Sequence, residues 1–146
     1  MFAINTHPLY TRHPHLFPSI PQPFRDNLEA YSLELKNICV TIIGFMTKAL
    51  KIEPPNELLD LFEDIGQVMR MNYYPPCPQP ERVIGLTPHA DGGALSIVLQ
   101  VNEIEGLQIR KDGMWIPVKP ISNAFVINIG DISEFCNSFE WFDGRY

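Results

Sequence analysis

Two hydrophobic periods divide this chain, and the change from one to the other limits what it can fold into. Leu28, Tyr31, Leu35, Ile38, Ile42, Phe45 and Ala49 recur at alternating steps of three and four. That spacing draws one apolar stripe along a long helix beginning near Phe24. After Gly66 the period drops to two: Met69, Met71 and Tyr73 fall on one side of an extended strand, and Arg70, Asn72 and Tyr74 on the other. A helical preface followed by strands is therefore expected, with the mainly β portion running from residue 66 onward.

The prolines and glycines mark the boundaries. Pro8, Pro14, Pro18, Pro21 and Pro23 fix φ over the first two dozen residues, so 1–23 reads as an extended proline-rich surface arm. The helical region, 24–65, carries Asp26 and Glu29 near its start and Lys48 and Lys51 near the end of its long helix, which suits the helix dipole. Pro54 and Pro55 stop that helix and leave room for a second short one. The first strand should run to Pro75-Pro76, where ladder donors are lost. Later strands are expected at Leu95–Gln100, Leu107–Arg110, Met114–Val118 and Phe125–Ile129, with Asp112-Gly113 turning a tight hairpin.

Composition excludes several functions. The formal net charge is −6 and the basic residues are scattered, so the chain offers no electrostatic footprint for nucleic acid. The longest mostly apolar run, Ile38 to Met46, is too short to span a bilayer, and the N-terminus lacks the pattern of a secretory signal. Three well-separated cysteines, Cys39, Cys77 and Cys136, read as reduced thiols in a cytoplasmic protein.

His89-Ala90-Asp91 places an imidazole and a carboxylate at i and i+2, on one side of an extended backbone, so both can reach one metal ion. One His and one carboxylate are two thirds of the facial triad that holds non-haem Fe(II). His13-Pro14-His15 has the same spacing but no acidic or thiol partner nearby in the sequence, and His7 has less support still.

Asn72-Tyr73-Tyr74-Pro75-Pro76-Cys77-Pro78, Thr87-Pro88-His89-Ala90-Asp91, Gly106-Leu107-Gln108, Trp115 and Asn128-Ile129-Gly130-Asp131 occur in this order and spacing. The run resembles the plant soluble 2-oxoglutarate/Fe(II)-dependent dioxygenases, the isopenicillin N synthase-like family that includes senescence-related, codeine-demethylase-like and norcoclaurine-synthase-like members. The resemblance extends from about His15-Leu16-Phe17-Pro18 to Gly130-Asp131. It implies an incomplete double-stranded β-helix, or jelly roll, over 66–131. It also implies Fe(II) held by His89 and Asp91, 2-oxoglutarate contacted by Asn72 and Tyr74, ascorbate as an accessory reductant, and a small specialised metabolite as prime substrate.

The family continues past the Gly-Asp pair to Ser-x-x-His-Arg, whose His is the third ligand, and later to an Arg-x-Ser pair that clamps the distal carboxylate of 2-oxoglutarate. Neither occurs here: no histidine follows His89, and 132–146 reads as an aberrant, aromatic-rich tail such as translated intron or out-of-frame sequence. The expectation is thus a truncated, impaired dioxygenase. The alternative is a catalytically silent fragment with weak metal binding or a structural or regulatory role. A jelly roll needs about eight strands to close, so the open edges of a partial one favour oligomers or aggregates.

Overall fold

The computed structural model describes residues 1–54, 56–63 and 66–133, and its contacts divide into two compact units, Met1–Thr87 and Pro88–Tyr146. The body of the expected tail, from residue 134, lies outside the described residues.

In the first unit the long helix α1 spans Gln22–Leu50, with Pro21 as its N-cap and Pro23 in its first turn, where a missing N–H costs nothing. It begins two residues earlier than the periodicity suggests. Asp26 consequently lies in the second turn, and only Lys48, in the last turn, complements the dipole. Lys51 closes the helix in the left-handed conformation at φ 56°, and its N–H is donated to the carbonyls of Thr47 and Lys48. The short helix α2, Glu57–Glu63, follows the prolines as expected.

The buried line of α1 is rotated from the expected stripe. Leu28, Ser32, Ile43 and Thr47 are buried, whereas Tyr31, Phe45 and Ala49 are exposed. Two hydroxyl residues can occupy that line because each satisfies itself within the helix. Ser32 Oγ donates to Leu28 O at 2.6 Å and Thr47 Oγ1 to Ile43 O at 3.0 Å.

The proline-rich arm is more structured than its composition suggests. Phe2–His7 forms strand β1, followed by 3-10 turns at Leu9–Thr11 and Phe17–Ser19. β1 pairs antiparallel with β2, Gln67–Met71, in the register Phe2↔Met71, Ala3↔Arg70, Ile4↔Met69. Strand β2 is thereby claimed by the N-terminal unit and not by the strands that follow it. The ladder also ends at Met71, three residues short of Tyr74, because Phe2 is the last residue to pair. Alternation of two brings Ile4 and Thr6 inward from β1 and Met69 and Met71 from β2. Ile4, Phe17, Ile20 and Leu28 form the core, flanked by Phe2, Leu16, Met69 and Met71. Arg12 ties the 3-10 turns to α1: it pairs with Glu29 at 2.9 Å and lies 3.9 Å over the Phe17 ring.

At the far end of this ladder the register shifts between Asn5 and His7, and His7 faces Gln67. His7 Nε2 and Gln67 Oε1 are both buried and have no hydrogen-bond partner among the described residues. Burial, then the positive charges of Lys36 and Arg12, push the His7 imidazole below its ordinary 6.5, against an opposing pull from Glu29. Because the folded value is depressed, the unfolded chain binds the proton more readily. Stability is therefore highest above 6.5, falls as the pH drops through 6.5, and levels off below the folded value. Thermal melts between about pH 7.5 and about pH 5.5 should show a fall in Tm that is smaller in His7→Gln. An equal fall in the two proteins rules out this source.

The second unit contains β3 (Leu95–Leu99), β4 (Gln108–Lys111), β5 (Met114–Pro117) and β6 (Phe125–Ile129), within a residue of expectation at every end. β4 and β5 are a hairpin whose turn residues, Asp112 and Gly113, take φ of 51° and 81°. Two successive positive φ values define the type I′ turn that matches strand twist. β3 pairs antiparallel with β6, Leu95 facing Ile129 and Leu99 facing Phe125. Little apolar surface is covered here: Leu99, Ile109, Trp115, Phe125, Ile127 and Ile129 are 37–53% exposed, and the buried residues are chiefly Ala94, Gly130 and Ser133. Among the described residues, no helix is long and apolar enough to cross a membrane.

Candidate metal centre

His89 and Asp91 lie on the connection entering β3. His89 Nε2 and Asp91 Oδ1 face each other at 3.6 Å, longer than a hydrogen bond. Two donors so placed converge on a common point from one side of the chain. The second carboxylate oxygen is turned away: Asp91 Oδ2 accepts a hydrogen bond from Asn128 Nδ2 at 3.1 Å. The His89 side chain is about half exposed and that of Asp91 about a quarter, so the pair is open to solvent on the His89 side.

The turn that carries Asp91 is fastened to the segment following β6. Asp131 N–H donates to Asp91 O at 2.8 Å, Gly130 N–H to Ala94 O at 2.9 Å, and Ser133 Oγ also to Ala94 O at 2.8 Å. These bonds join positions about forty residues apart, so Asp91 is held from two directions. Gly130 is a glycine of necessity, because a Cβ there would meet the carbonyls of Asp91 and Gly93 well inside contact distance.

The sequence pairing of His89 with Asp91 is thus realised in space. An imidazole nitrogen and a carboxylate oxygen, the latter oriented by an amide, are the donor types that suit Fe(II) and the kind of support that metal ligands receive. Among the described residues no group of three or more His, Cys, Asp or Glu gathers around a point. The residues present fit two positions of a metal's coordination sphere.

Asn72 and Tyr74 belong to the first unit. Both line a shallow cleft of about 150 Å³ with Arg70, Gly85 and Leu86, and the Tyr74 ring packs on Gly85. Tyr73 lines the same cleft. The expected alternation does not sort these three side chains, since the chain has left the ladder at Met71. Arg70, on the exposed face of β2, reaches the cleft with them. The roles of Asn128 and Ser133 escaped sequence reasoning. Asn128 lay within a motif already marked, Asn128-Ile129-Gly130-Asp131, but its proximity to Asp91 depends on a strand register that no local pattern states.

Residues 65–142 match the family model described as the 2OG-Fe(II) oxygenase superfamily. The chain is 54% identical over 141 residues to oxoglutarate-dependent flavonoid 7-O-demethylase 1 of Ocimum basilicum, covering 97% of this chain and 38% of that protein. It is 55% identical over 136 residues to protein SRG1 of Arabidopsis thaliana, covering 92% and 38% respectively. Among solved structures, the crystal structure of JOX2 in complex with 2OG, Fe and JA matches with a TM-score of 0.83 at 36% identity, over 91% of this chain and 40% of that one. The chain spans less than two fifths of the length of these curated relatives. The expected fold class, mainly β with N-terminal helices and part of a jelly roll, stands on that likeness. Together with the strands, the paired donors and their supporting amide, the match places this chain in the 2OG-Fe(II) oxygenase superfamily.

Proposed function

We propose that this chain carries the first two metal ligands and part of the cosubstrate site of an Fe(II)- and 2-oxoglutarate-dependent oxygenase acting on a small specialised metabolite. The observation that carries the reading is the convergence of His89 Nε2 and Asp91 Oδ1, with Asp91 Oδ2 taken up by Asn128. Bound Fe(II) supplies open coordination positions at which O₂ and the 2-oxo acid react. His89 and Asp91 would hold that ion. Asn72 and Tyr74 contribute an amide and a phenol that hydrogen-bond an oxygen of the 2-oxoglutarate carboxylate, and Arg70 adds positive charge to the same cleft. Ascorbate, as a reductant that keeps such iron in its ferrous state, and a cytoplasmic location belong to this reading.

A second reading has its own observation. Among the described residues only two candidate donors, His89 and Asp91, come together, and the Arg-x-Ser pair that would clamp the distal carboxylate of 2-oxoglutarate does not occur in these 146 residues. On that reading the 146 residues bind metal weakly and turn nothing over, acting at most as a structural or regulatory partner.

Anaerobic Fe(II) titration of the chain, followed by O₂ and 2-oxoglutarate, separates the two. We expect reversible binding that His89→Ala removes, weaker by at least about 10–100-fold than a three-ligand centre, with succinate release low and close to background; release no higher than in a His89→Ala/Asp91→Ala control supports the second reading. Succinate formed in step with O₂ consumption, above a His89→Ala/Asp91→Ala control, establishes the first reading for the chain alone. Binding unchanged by either substitution eliminates both His89 and Asp91 as ligands.

A further inference from the structure

Asn128, on β6, reaches the Asp91 side chain from another part of the second unit. Its amide lies 3.1 Å from Asp91 Oδ2, although the residues are 37 apart in sequence. A carboxylate only accepts hydrogen bonds, so the amide nitrogen must be the atom that faces it. The bond is charge-assisted, of the stronger kind, and it engages the oxygen that does not face His89. With Oδ2 fixed, rotation of the carboxylate about its last bond is stopped, and Oδ1 stays aimed at the point shared with His89 Nε2.

We propose that Asn128 is a positioning residue for Asp91, setting the orientation of that carboxylate and through it the affinity of the metal centre. The inference rests on the assignment of His89 and Asp91 as metal ligands and deepens it.

The backbone makes the role separable from folding. Asp131 N–H to Asp91 O and Gly130 N–H to Ala94 O fasten the Asp91 turn whatever side chain stands at 128. The ladder between β3 and β6 likewise runs through the main chain, with Asn128 opposite Ser96. A substitution at 128 that keeps bulk should therefore free the carboxylate while leaving the turn and the sheet in place. Asn128→Leu keeps the volume and removes the donor, and Asn128→Ala removes both. Ser96→Ala loosens the same cross-strand pair without touching Asp91, and so reports what a purely structural role would do.

The test is Co(II) binding by the full chain, followed by its visible absorption and by thermal melts that confirm each variant folded at the temperature used. The wild type should bind, His89→Ala should not, and Asn128→Leu and Asn128→Ala should bind about 10–100-fold more weakly, the usual loss when a ligand's supporting partner is removed. Their cobalt spectra should also change in band position, whereas Ser96→Ala should retain the wild-type spectrum and affinity. If wild type binds and His89→Ala does not, yet both Asn128 variants match the wild type in affinity and spectrum, the positioning role is overturned and the metal reading survives. If wild type and His89→Ala are indistinguishable, the metal reading falls and this inference falls with it. If Ser96→Ala reproduces the loss and the spectral change, Asn128 acts only through the sheet, which also overturns the proposal.

Discussion

Gly130→Ala should be among the most damaging single substitutions in the second unit. A methyl group at 130 would lie 2.7 Å from Asp91 O and nearer still to Gly93 O, both backbone atoms that no rotamer change can move aside. Either the turn carrying Asp91 is pushed off the end of β6, or Gly130 withdraws and breaks its bond to Ala94 O. Forced insertion of this kind costs about 2–3 kcal/mol, which in a small unit lowers the melting temperature by about ten degrees or more. Metal affinity should drop as well, because Asp91 moves with its turn. Gly92→Ala is the matched control: it stands in the same turn, a Cβ there meets nothing within 4 Å, and its effect should stay within about 0.5 kcal/mol. Equal melts for the two variants would show that the close approach at Gly130 is not a constraint in solution.

The second large effect concerns the uncovered strands. β3 with β6, and β4 with β5, form separate two-stranded sheets, and Leu99, Ile109, Trp115, Phe125, Ile127 and Ile129 remain 37–53% exposed. Isolated strand pairs are marginal in water, and apolar open edges invite pairing with other chains. Replacing residues 134–146 with a family-type continuation bearing Ser-x-x-His-Arg and Arg-x-Ser should supply covering strands and a third ligand together. Ser133 is kept because its hydroxyl holds Ala94 O. The extended chain should elute as a monomer, melt at higher temperature, and bind Fe(II) at least about 10–100-fold more tightly. Should the 146-residue chain already be a monomer with a cooperative melt, and the replacement alter neither stability nor affinity, the uncovered faces are not what limits this protein.

The elements that were legible in the sequence are those fixed by local chemistry. Asp112-Gly113 dictates its hairpin because two residues with positive φ are needed between paired strands, and few dipeptides accept that. The long helix announces itself by period, yet its buried face does not follow the apolar stripe. Ser32 and Thr47 count as polar in any pattern, whereas in place their hydroxyls are consumed by the preceding turn and behave as small fillers. Strand β1 is concealed for a different reason: the prolines that begin at Pro8 make all of 1–23 read as an extended surface arm, although Phe2, Ile4 and Thr6 already alternate.

The candidate site divides in the same way. His89 and Asp91 are two residues apart, so their meeting is a local property, readable from the extended backbone. Their support is not local. Asn128, Gly130, Asp131 and Ser133 reach the Asp91 turn only after β6 has found β3 in one particular register, and a slip of one residue would turn Asn128 to the opposite face.

The β4–β5 hairpin lies within the connection between β3 and β6, and that nesting bears on the order in which the chain can assemble. A tight hairpin of this kind closes in about 1–10 μs, using contacts only a few residues apart. Once formed, it brings Gln108 beside Pro117 and shortens the free loop that must close before Leu99 can find Phe125. The entropy saved is only a few tenths of a kcal/mol, since closure cost grows with the logarithm of loop length. It is nevertheless spent at the step that creates the anchorage of Asp91, so a change confined to the Asp112-Gly113 turn should alter how quickly the Asp91 turn is fastened without altering its final geometry.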